Sequence, residues 1–292
     1  DSSHAAGHCL RWPAIAAHLP EVLHRHSRNV HKGTFGTLAA IGGAHGMFGA
    51  ALPAARAALR LGAGKVIVGF AASDHPGVDF IAPELMLRHA GQAFDGATAL
   101  VVGPGLGTAA AERKLLERAI ATGVPLVLDA DALNLVAQDA ALRAALRSRS
   151  APSILTPHPA EAARLRATDV TAIQRDRCAA ALALAHELHA HVVIKGAGSV
   201  LAHPDGTWDI NVSGNPALAT AGTGDVLSGM IGALLAQRID AREALRIAVC
   251  LHGAAADALV ARGIGPLGVP ASIIADEARD LVNARDLVNA RD

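Results

Sequence analysis

The stretch Asn215-Pro-Ala-Leu-Ala-Thr-Ala-Gly-Thr-Gly-Asp225 runs directly into the apolar pattern of residues 226–236, and this junction decides the fold. Gly222 and Gly224 flank Thr223, and glycines allow the backbone to approach an oxyanion closely. A helix that begins here directs its first N–H groups and its dipole at such an anion. The junction therefore predicts a helix over 223–236 with an anion-binding site at its start.

Asp225 places a carboxylate at this anion site, and two interpretations follow. It can act as a general base that takes the proton from a hydroxyl attacking a phosphoryl group, while the amides stabilise the transferring oxygens. It can instead simply cap the helix, which is a common role for Asp. The motif favours the base and leaves capping open.

Outward from this junction, short apolar runs alternate with longer Ala- and Leu-rich helical patterns along nearly the whole chain. The predicted strands are apolar on both faces, as buried parallel strands are, and comprise Leu38–Ile41, Lys65–Phe70, Ala99–Val102, Leu126–Asp129, Ile154–Thr156 and Val192–Lys195. Helices are predicted over 49–61, 109–121, 139–148, 172–189, 223–236, 241–261 and 269–284. Ser199–Ala202 and Thr207–Val212 flank a Pro-Asp-Gly turn and predict an antiparallel hairpin.

This alternation predicts one α/β domain over residues 1–292, with a mostly parallel central sheet and helices on both faces. Residues 1–20 are predicted to be an N-terminal extension, and residues 279–292 a repeated C-terminal tail. In that tail, Arg279-Asp-Leu-Val-Asn-Ala recurs from Arg285 with a six-residue period that fits neither a helix nor a heptad. We interpret the repeat as a terminal duplication and assign it no function.

Composition narrows the function classes. Apolar residues make up 51% of the 292 residues and charged residues 18%, which excludes general disorder. Lys plus Arg and Asp plus Glu number 26 each, so the chain has no basic surface for nucleic acid and no polybasic membrane patch. The longest uncharged stretch, Gly33–Ala55, is broken by glycines, Pro53 and His45, so no transmembrane helix is expected. The few, widely spaced cysteines indicate a reducing, cytoplasmic location.

Two other motifs suggest chemistry that their context does not support. Gly105-Leu-Gly-Thr-Ala-Ala110 imitates a dinucleotide-binding fingerprint, but it lies in mid-chain, ends in Ala and follows the constraining Pro104. The run from His186 to His191 invites a zinc-protease interpretation, yet the second metal ligand of that motif would fall on Ala190. Neither a classical dehydrogenase nor a zinc protease is therefore expected.

A series of further motifs accompanies the 215–225 junction in a fixed order. They are His31-Lys-Gly33, Ile41-Gly-Gly43, Gly49-Ala-Ala51, Gly62-Ala-Gly64, Gly103-Pro-Gly-Leu-Gly107, Leu128-Asp-Ala-Asp-Ala-Leu-Asn134, Leu155-Thr-Pro-His-Pro-Ala-Glu161 and Ile194-Lys-Gly-Ala197. In these motifs, over roughly residues 20–275, the sequence resembles the ADP-dependent NAD(P)H-hydrate dehydratases of the ribokinase-like superfamily. The resemblance implies a ribokinase-like three-layer sandwich.

The resemblance also implies a metabolite-repair reaction. NADH or NADPH that carries a hydroxyl on C6 of the nicotinamide ring (NADHX or NADPHX) is restored to the intact dinucleotide while a nucleotide is hydrolysed. Bacterial-type members convert ADP to AMP and phosphate, eukaryotic members use ATP, and Mg²⁺ is expected. Relatives suggest a homo-oligomer, a tetramer, and many carry a preceding epimerase domain, which implies that the protein works with an NAD(P)H-hydrate epimerase or is fused to one.

Roles carry over from the family by matching position. The nucleotide-binding positions correspond to Lys195, Gly196, Ala197, Gly198, Ser199, Gly222, Thr223 and Gly224. The hydrate-contacting positions correspond to Ala50, Gly105, Gly107, His158 and Asp225, of which Asp225 is the catalytic base. Glu161 corresponds to an acidic position linked to Mg²⁺ in kinases of the superfamily.

Asp129, Asp131 and Asn134 are further candidates because they follow a predicted strand. Ligands of open α/β sheets bind at the carboxyl ends of the strands, so Asp131 and Asn134 are expected to contact the hydrate; capping of the local loop is the alternative. Lys195 ends another strand, where it either neutralises phosphate charge or is simply solvated.

The main alternative function is a ribokinase-like small-molecule kinase that phosphorylates a hydroxyl of a thiazole or pyrimidine alcohol. Such a kinase would share the Gly-Thr-Gly-Asp loop but not the motifs around His158 and Asp131. An inactive nucleotide-binding regulator would be expected to lose Asp225 or the loop glycines, which are present here. One departure from the family lies in the loop Ala44–Phe48, where relatives often carry an aromatic hydroxyl and this chain has no Tyr.

Overall fold

The computed structural model describes residues 7–24 and 29–289, and within them ten strands form one sheet. The strands are β1 (Gly7–Leu10), β2 (Thr37–Gly42), β3 (Lys65–Phe70), β4 (Met86–His89), β5 (Ala99–Val102), β6 (Leu126–Leu128), β7 (Ser153–Leu155), β8 (His191–Ile194), β9 (Val200–Ala202) and β10 (Trp208–Asn211). Their order across the sheet is β1-β10-β9-β8-β7-β6-β5-β2-β3-β4. Only β9 runs antiparallel to its neighbours. The predicted parallel sheet with an attached hairpin is confirmed.

Eleven α-helices accompany the sheet within the described part of the chain. They are α1 (Trp12–Ala16), α2 (Phe48–Arg60), α3 (Ala110–Ile120), α4 (Asp131–Gln138), α5 (Ala140–Arg147), α6 (Pro159–Leu165), α7 (Val170–Arg175), α8 (Arg177–Leu188), α9 (Thr223–Ala236), α10 (Ala241–Ala261) and α11 (Ala271–Asn289). The boundaries predicted for α9 and α10 are confirmed. The helix predicted over 172–189 is instead two helices, because Asp176 interrupts the first and caps the second through the Ala179 N–H.

Side chains of alternate strand residues pack into two separate cores on opposite faces of the sheet. On β6, Val127 faces the core formed with α2, α9, α10 and α11, whereas Leu126 and Leu128 face the core formed with α3 to α6 and α8. This alternation explains why the strands are apolar on both faces. Helices α2 and α9 pack so closely that a Cβ on Gly229 would lie only 2.0 Å from the Ala54 carbonyl oxygen.

Helix α10 is long and apolar enough to cross a membrane by length and hydropathy alone. However, 72% of its most apolar window is buried inside the protein. That burial is typical of a central helix of a folded core, and among the described residues no other helix meets the same criteria.

Both ends of the chain add to elements of the fold. Strand β1 pairs in parallel with β10, and Leu10, Ile15 and Leu19 are buried, so residues 7–24 of the N-terminal region extend the sheet and its core. At the other end, α11 continues to Asn289, so the predicted tail over 279–292 is helical as far as that residue. Residues 1–6 and 290–292 lie outside the described residues.

Several elements differ from the sequence prediction in ways that matter for the site. Strands β6, β7 and β8 each end one residue earlier than predicted, so Asp129, Thr156 and Lys195 are the first residues beyond them. Helices α4 and α6 are absent from the sequence prediction. Helix α6 carries a recognisable start signal, since Pro159 follows His158 and Glu161 completes a capping box.

Candidate active site

Helix α9 begins at Thr223, and its cap residue Gly222 has a φ of 87°, a left-handed conformation that favours glycine. No side chain caps this helix. The Thr223 hydroxyl donates to the carbonyls of Leu218 and Thr220 at 2.8 and 2.9 Å, which fixes the loop before the helix. The first N–H groups of a helix have no carbonyl in a preceding turn. The start of α9 therefore has the geometry of the anion-binding site that the sequence predicts.

Asp225 is the third residue of α9 and is partly buried. Because no side-chain hydrogen bond caps α9, the structure does not support the capping interpretation. Burial and then the negative charge of Asp129 raise the pKa of Asp225 to about 7, with Glu161 adding to the rise and Lys195 opposing it. A carboxylate that titrates near neutral pH is well matched to accept a proton from a substrate hydroxyl.

Lys195 connects the carboxylates of the site. Its Nζ lies 3.0 Å from an oxygen of Asp129 and 4.0 Å from one of Glu161. The same Nζ would stand 3.3 Å from a Cβ on Gly224, which places the ammonium beside the start of α9. Burial alone would lower the pKa of Lys195, but the charges of Asp129 and Glu161 outweigh it and raise that pKa. Lys195 is thus a partly buried, charged group that is paired with Asp129 next to the anion site, and not a solvated strand end.

Asp129 is the most deeply buried carboxylate of this cluster, and it is only 2% exposed. Its Oδ1 accepts a hydrogen bond from its neighbour's amide as well as pairing with Lys195. Its Oδ2 accepts a hydrogen bond of 2.5 Å from the hydroxyl of Ser228, which lies about one turn after Asp225 in α9. The residue after strand β6 is therefore joined directly to helix α9, in which Asp225 also lies.

A cavity of about 570 Å³ opens beside the start of α9. Among the predicted nucleotide-binding residues, those that line it are Lys195, Gly196, Ala197, Gly198, Ser199, Thr223 and Gly224. Gly222 does not line the cavity, and it contributes through the conformation of the cap. The far wall comes from the segment Asn211–Pro216 and from α10. The cavity thus joins the loop after β8, the hairpin end and the start of α9.

A second group of predicted residues lies where β5, β6 and α2 approach one another. The Gly107 N–H donates to the Asp131 carboxylate at 2.9 Å, and a Cβ on Gly105 would lie 2.7 Å from the Cβ of Ala50. Asn134 donates to Asp131 at 3.4 Å. Asp131 and Asn134 therefore shape the Gly105–Gly107 loop, so for these residues the structure also supports the local role considered as the alternative.

His158 and Glu161 form the start of α6. The His158 Nδ1 accepts from the Ala160 and Glu161 N–H groups, and Glu161 accepts in turn from the His158 N–H at 2.8 Å. The His158 side chain is 47% exposed, and burial of its inner part lowers its pKa. The His158 Nε2 lies 3.4 Å from the Glu161 Oε1, and the exposed half of the ring can contact a ligand, while Glu161 is 6% exposed and already holds the backbone.

The described residues contain no group of three or more His, Cys, Asp or Glu side chains arranged to hold a metal ion. Mg²⁺, however, is usually bound by one or two carboxylates together with water and substrate phosphates. Glu161, whose carboxylate lies 4.0 Å from the Lys195 Nζ beside the anion site, fits the single protein carboxylate that such an ion needs when it arrives with a nucleotide.

Some residues near the site carry no motif that sequence reasoning could use. His252 lines the nucleotide cavity from the middle of α10. In the sequence it is a lone His on an apolar helix, a pattern that predicts a core residue. Arg177 begins α8 and donates to the Ala197 carbonyl at 2.6 Å. Glu112 and His45 line a cleft of about 540 Å³ that adjoins Gly107. Only the topology brings these side chains to the site.

Comparison with known proteins gives a consistent result. A model of the NAD(P)H-hydrate dehydratase family matches residues 38–278. The chain is 45% identical over 273 residues to the ADP-dependent (S)-NAD(P)H-hydrate dehydratase of Neisseria meningitidis serogroup B, covering 92% of each protein. It is 38% identical to a bifunctional NAD(P)H-hydrate repair enzyme of Coxiella burnetii, of which it spans 55%.

Solved structures show the same relationship. A Bacillus subtilis ADP/ATP-dependent NAD(P)H-hydrate dehydratase, co-crystallised with ATP and Mg²⁺, superposes with a TM-score of 0.80 at 30% identity over 94% of this chain and 98% of that one. A ribokinase-like superfamily protein from Enterococcus faecalis, at 24% identity, covers 96% of each chain with a TM-score of 0.82 and confirms the predicted fold class. On the family match and the identities over most of its length, this chain belongs to the NAD(P)H-hydrate dehydratase family.

Proposed function

We propose that the protein is an ADP-dependent (S)-NAD(P)H-hydrate dehydratase, which restores NADHX and NADPHX to NADH and NADPH while ADP is converted to AMP and phosphate. The observation that carries the proposal is the position of Asp225, which titrates near neutral pH at the anion-binding start of α9 beside Lys195. Family membership favours this reaction over the phosphorylation of a thiazole or pyrimidine alcohol.

The geometry supports a phosphoryl transfer followed by an elimination. Asp225 accepts the proton of the C6 hydroxyl as that oxygen attacks the terminal phosphorus of ADP, and the bond to the AMP oxygen breaks. In this proposal the Gly224 amide and the Lys195 ammonium, which lie side by side, stabilise charge on the transferring oxygens. The electron pair of the ring nitrogen then expels phosphate from C6, and loss of a proton from C5 completes the double bond.

Each group of residues has a defined part in this proposal. The loop Lys195–Ser199 and the residues Gly222–Gly224 bind the nucleotide, while Ala50, Gly105, Gly107 and His158 contact the hydrate. Asp131 and Asn134 hold the Gly105–Gly107 loop in place. Mg²⁺ bound near Glu161 would neutralise phosphate charge. We further propose a cytoplasmic homo-oligomer, a tetramer, that works with an epimerase or is fused to one; Cys9, Cys178 and Cys250 are free, as in a reducing compartment.

The test is a direct assay. The protein is incubated with hydrated NADH, Mg²⁺ and either ADP or ATP, and absorbance of the reduced nicotinamide is followed together with release of AMP or ADP. Recovery with ADP and AMP formation in equal amounts is the expected result, and no recovery with either nucleotide would refute the proposal.

A pair of variants tests the assigned base. Asp225→Asn keeps the shape of the side chain and should abolish turnover while nucleotide binding, measured by calorimetry, persists. Asp95→Asn removes a carboxylate that is 83% exposed and should leave turnover unchanged. A fully active Asp225→Asn protein would remove Asp225 from the mechanism.

A further inference from the structure

The polar side chains of the nucleotide cavity already have partners within the protein, with one exception. Five of them form hydrogen bonds within the protein through a side-chain hydroxyl or amide: Ser199, Asn211, Ser213, Asn215 and Thr223. Lys195 is paired with Asp129. These groups shape the wall of the cavity, and the hydrogen-bonding capacity that they have left for a ligand is small.

His252 is the exception. Its side chain lines the cavity and is 7% exposed, and its Nε2 is buried with no hydrogen-bond partner among the described residues. Burial lowers the pKa of His252 to about 4, so the ring is neutral, with one donor and one acceptor nitrogen, and only the Nε2 is left for a ligand. A buried polar nitrogen without a partner destabilises a protein. The cavity is the place from which a ligand can supply that partner.

The surroundings of His252 indicate which part of a nucleotide lies beside it. Its ring interacts with the Thr223 backbone at the start of α9 and is close enough to Lys195 to feel its charge. The phosphates belong at that helix start, and the ribose is the next group along a nucleotide. A neutral imidazole suits a hydroxyl group better than a phosphate, which is already served by Lys195 and the helix amides.

We propose that His252 forms a side-chain hydrogen bond with a ribose hydroxyl of the nucleotide and so positions the nucleoside diphosphate for transfer. This inference rests on the proposed use of a nucleotide co-substrate. His252 does not touch the reacting atoms and acts as a binding and positioning residue. It gives the site a preference for ribonucleotides over their deoxy analogues, since the analogue leaves the buried nitrogen unpaired.

The experiment compares three variants of the full chain with the wild type. His252→Leu removes both ring nitrogens at similar volume, His252→Gln keeps a hydrogen-bonding group near the Nε2 position, and His186→Leu removes an exposed His from α8 as the matched control. Dissociation constants are measured by calorimetry with Mg²⁺ for ADP, 2′-deoxy-ADP, 3′-deoxy-ADP and the purine riboside diphosphate that lacks the 6-amino group. Steady-state kcat and KM for ADP and the unfolding temperature without ligand are measured alongside.

The wild type should bind one of the two deoxy analogues about fivefold to tenfold more weakly than ADP, as expected for loss of one hydrogen bond. His252→Leu should bind ADP more weakly than the wild type by the same factor and should no longer discriminate between ADP and the deoxy analogue. His252→Gln should recover part of this discrimination, and His186→Leu should match the wild type. KM should change more than kcat. Without ligand, His252→Leu should unfold close to the wild-type temperature, because removal of the unpaired buried nitrogen offsets loss of the ring's interaction with the Thr223 backbone.

Several results would overturn the inference. Unchanged discrimination in His252→Leu would show that another group reads the ribose. Discrimination confined to the riboside lacking the 6-amino group would place His252 at the base. A clearly lower unfolding temperature without ligand would assign His252 a structural role. If the wild type binds neither ADP nor ATP, the proposed function fails as well, whereas a wild type that binds ADP and all its analogues equally refutes only the role of His252.

Discussion

The acid limb of the pH profile should be set by Asp225, and its position should depend on Asp129. With a pKa of about 7, Asp225 is protonated below neutral pH and cannot accept the proton of the substrate hydroxyl. It is roughly one-tenth ionised at pH 6 and roughly nine-tenths at pH 8. We therefore expect kcat/KM to fall about tenfold between pH 8 and pH 6.

Asp129→Asn is the informative perturbation. Burial is the largest cause of the raised pKa of Asp225, and the charge of Asp129 is the second. Removal of that charge lowers the pKa of Asp225, so the acid limb should move to lower pH and the loss at pH 6 should shrink. Lys195→Met removes the charge that opposes the rise, so its limb should move in the other direction.

The assay is recovery of reduced nicotinamide absorbance from hydrated NADH between pH 5 and pH 9, with the nucleotide kept saturating. The ratio kcat/KM for hydrated NADH is the appropriate quantity because it reports the ionisation of the enzyme form that the hydrate binds. Asp95→Asn, an exposed carboxylate elsewhere, is the control and should leave the limb in place. A limb that stays fixed in Asp129→Asn, or that moves to higher pH, would refute the assignment of Asp225 as the titrating base.

Three further predictions concern stability and loop position. Asp225 keeps its proton in the folded state up to about pH 7 but loses it near pH 3.8 when unfolded, so the stability of the wild type falls as the pH rises through this window. The free energy of unfolding of Asp225→Asn in urea should therefore rise relative to that of the wild type by about 1–2 kcal/mol between pH 5 and pH 8. An equal difference between the two proteins at both pH values would contradict this. Arg177→Gln should raise KM for ADP several-fold with kcat retained, because Arg177 bonds to Ala197 and packs against Gly196; an unchanged KM would show that the loop holds its position unaided. Gly229→Ala should destabilise the protein by about 1–3 kcal/mol in urea unfolding, since its Cβ would overlap the Ala54 carbonyl, and unaltered stability would mean that α2 and α9 separate freely.

The sequence predicts the central architecture well because parallel strands buried on both faces give uninterrupted apolar runs. Strands β3 and β5 and helices α9 and α10 have the predicted boundaries. Strands β1 and β4 lie at the two edges of the sheet, where burial is partial, and their mixed sequences contain no such run. Edge strands are defined by the neighbour they pair with, which a local pattern does not contain.

The site is only partly predictable for a related reason. Motifs identify Asp225 and the loop after Ile194 because backbone conformation and anion binding require glycines at fixed spacing there. Nothing local indicates that Ser228 bonds to Asp129, or that Lys195 lies between Asp129 and Glu161, since these contacts join residues far apart in the chain. The electrostatics that raise the pKa of Asp225 arise from the sheet topology, which brings the ends of β6 and β8 to the start of α9.

Charge balance links the composition of the chain to this chemistry. The chain has 26 basic and 26 acidic residues, yet the substrates of the proposed reaction are polyanions. Around Lys195, three carboxylates face a single ammonium, so the site does not attract phosphate by net charge. Oriented backbone amides at the start of α9 and one partly buried lysine provide local binding, which a nucleotide can use and an extended nucleic acid cannot. The excess of carboxylates also affects the base. The charges of Asp129 and Glu161 add to burial in raising the pKa of Asp225. Asp225 therefore binds a substrate proton more tightly than an isolated Asp does.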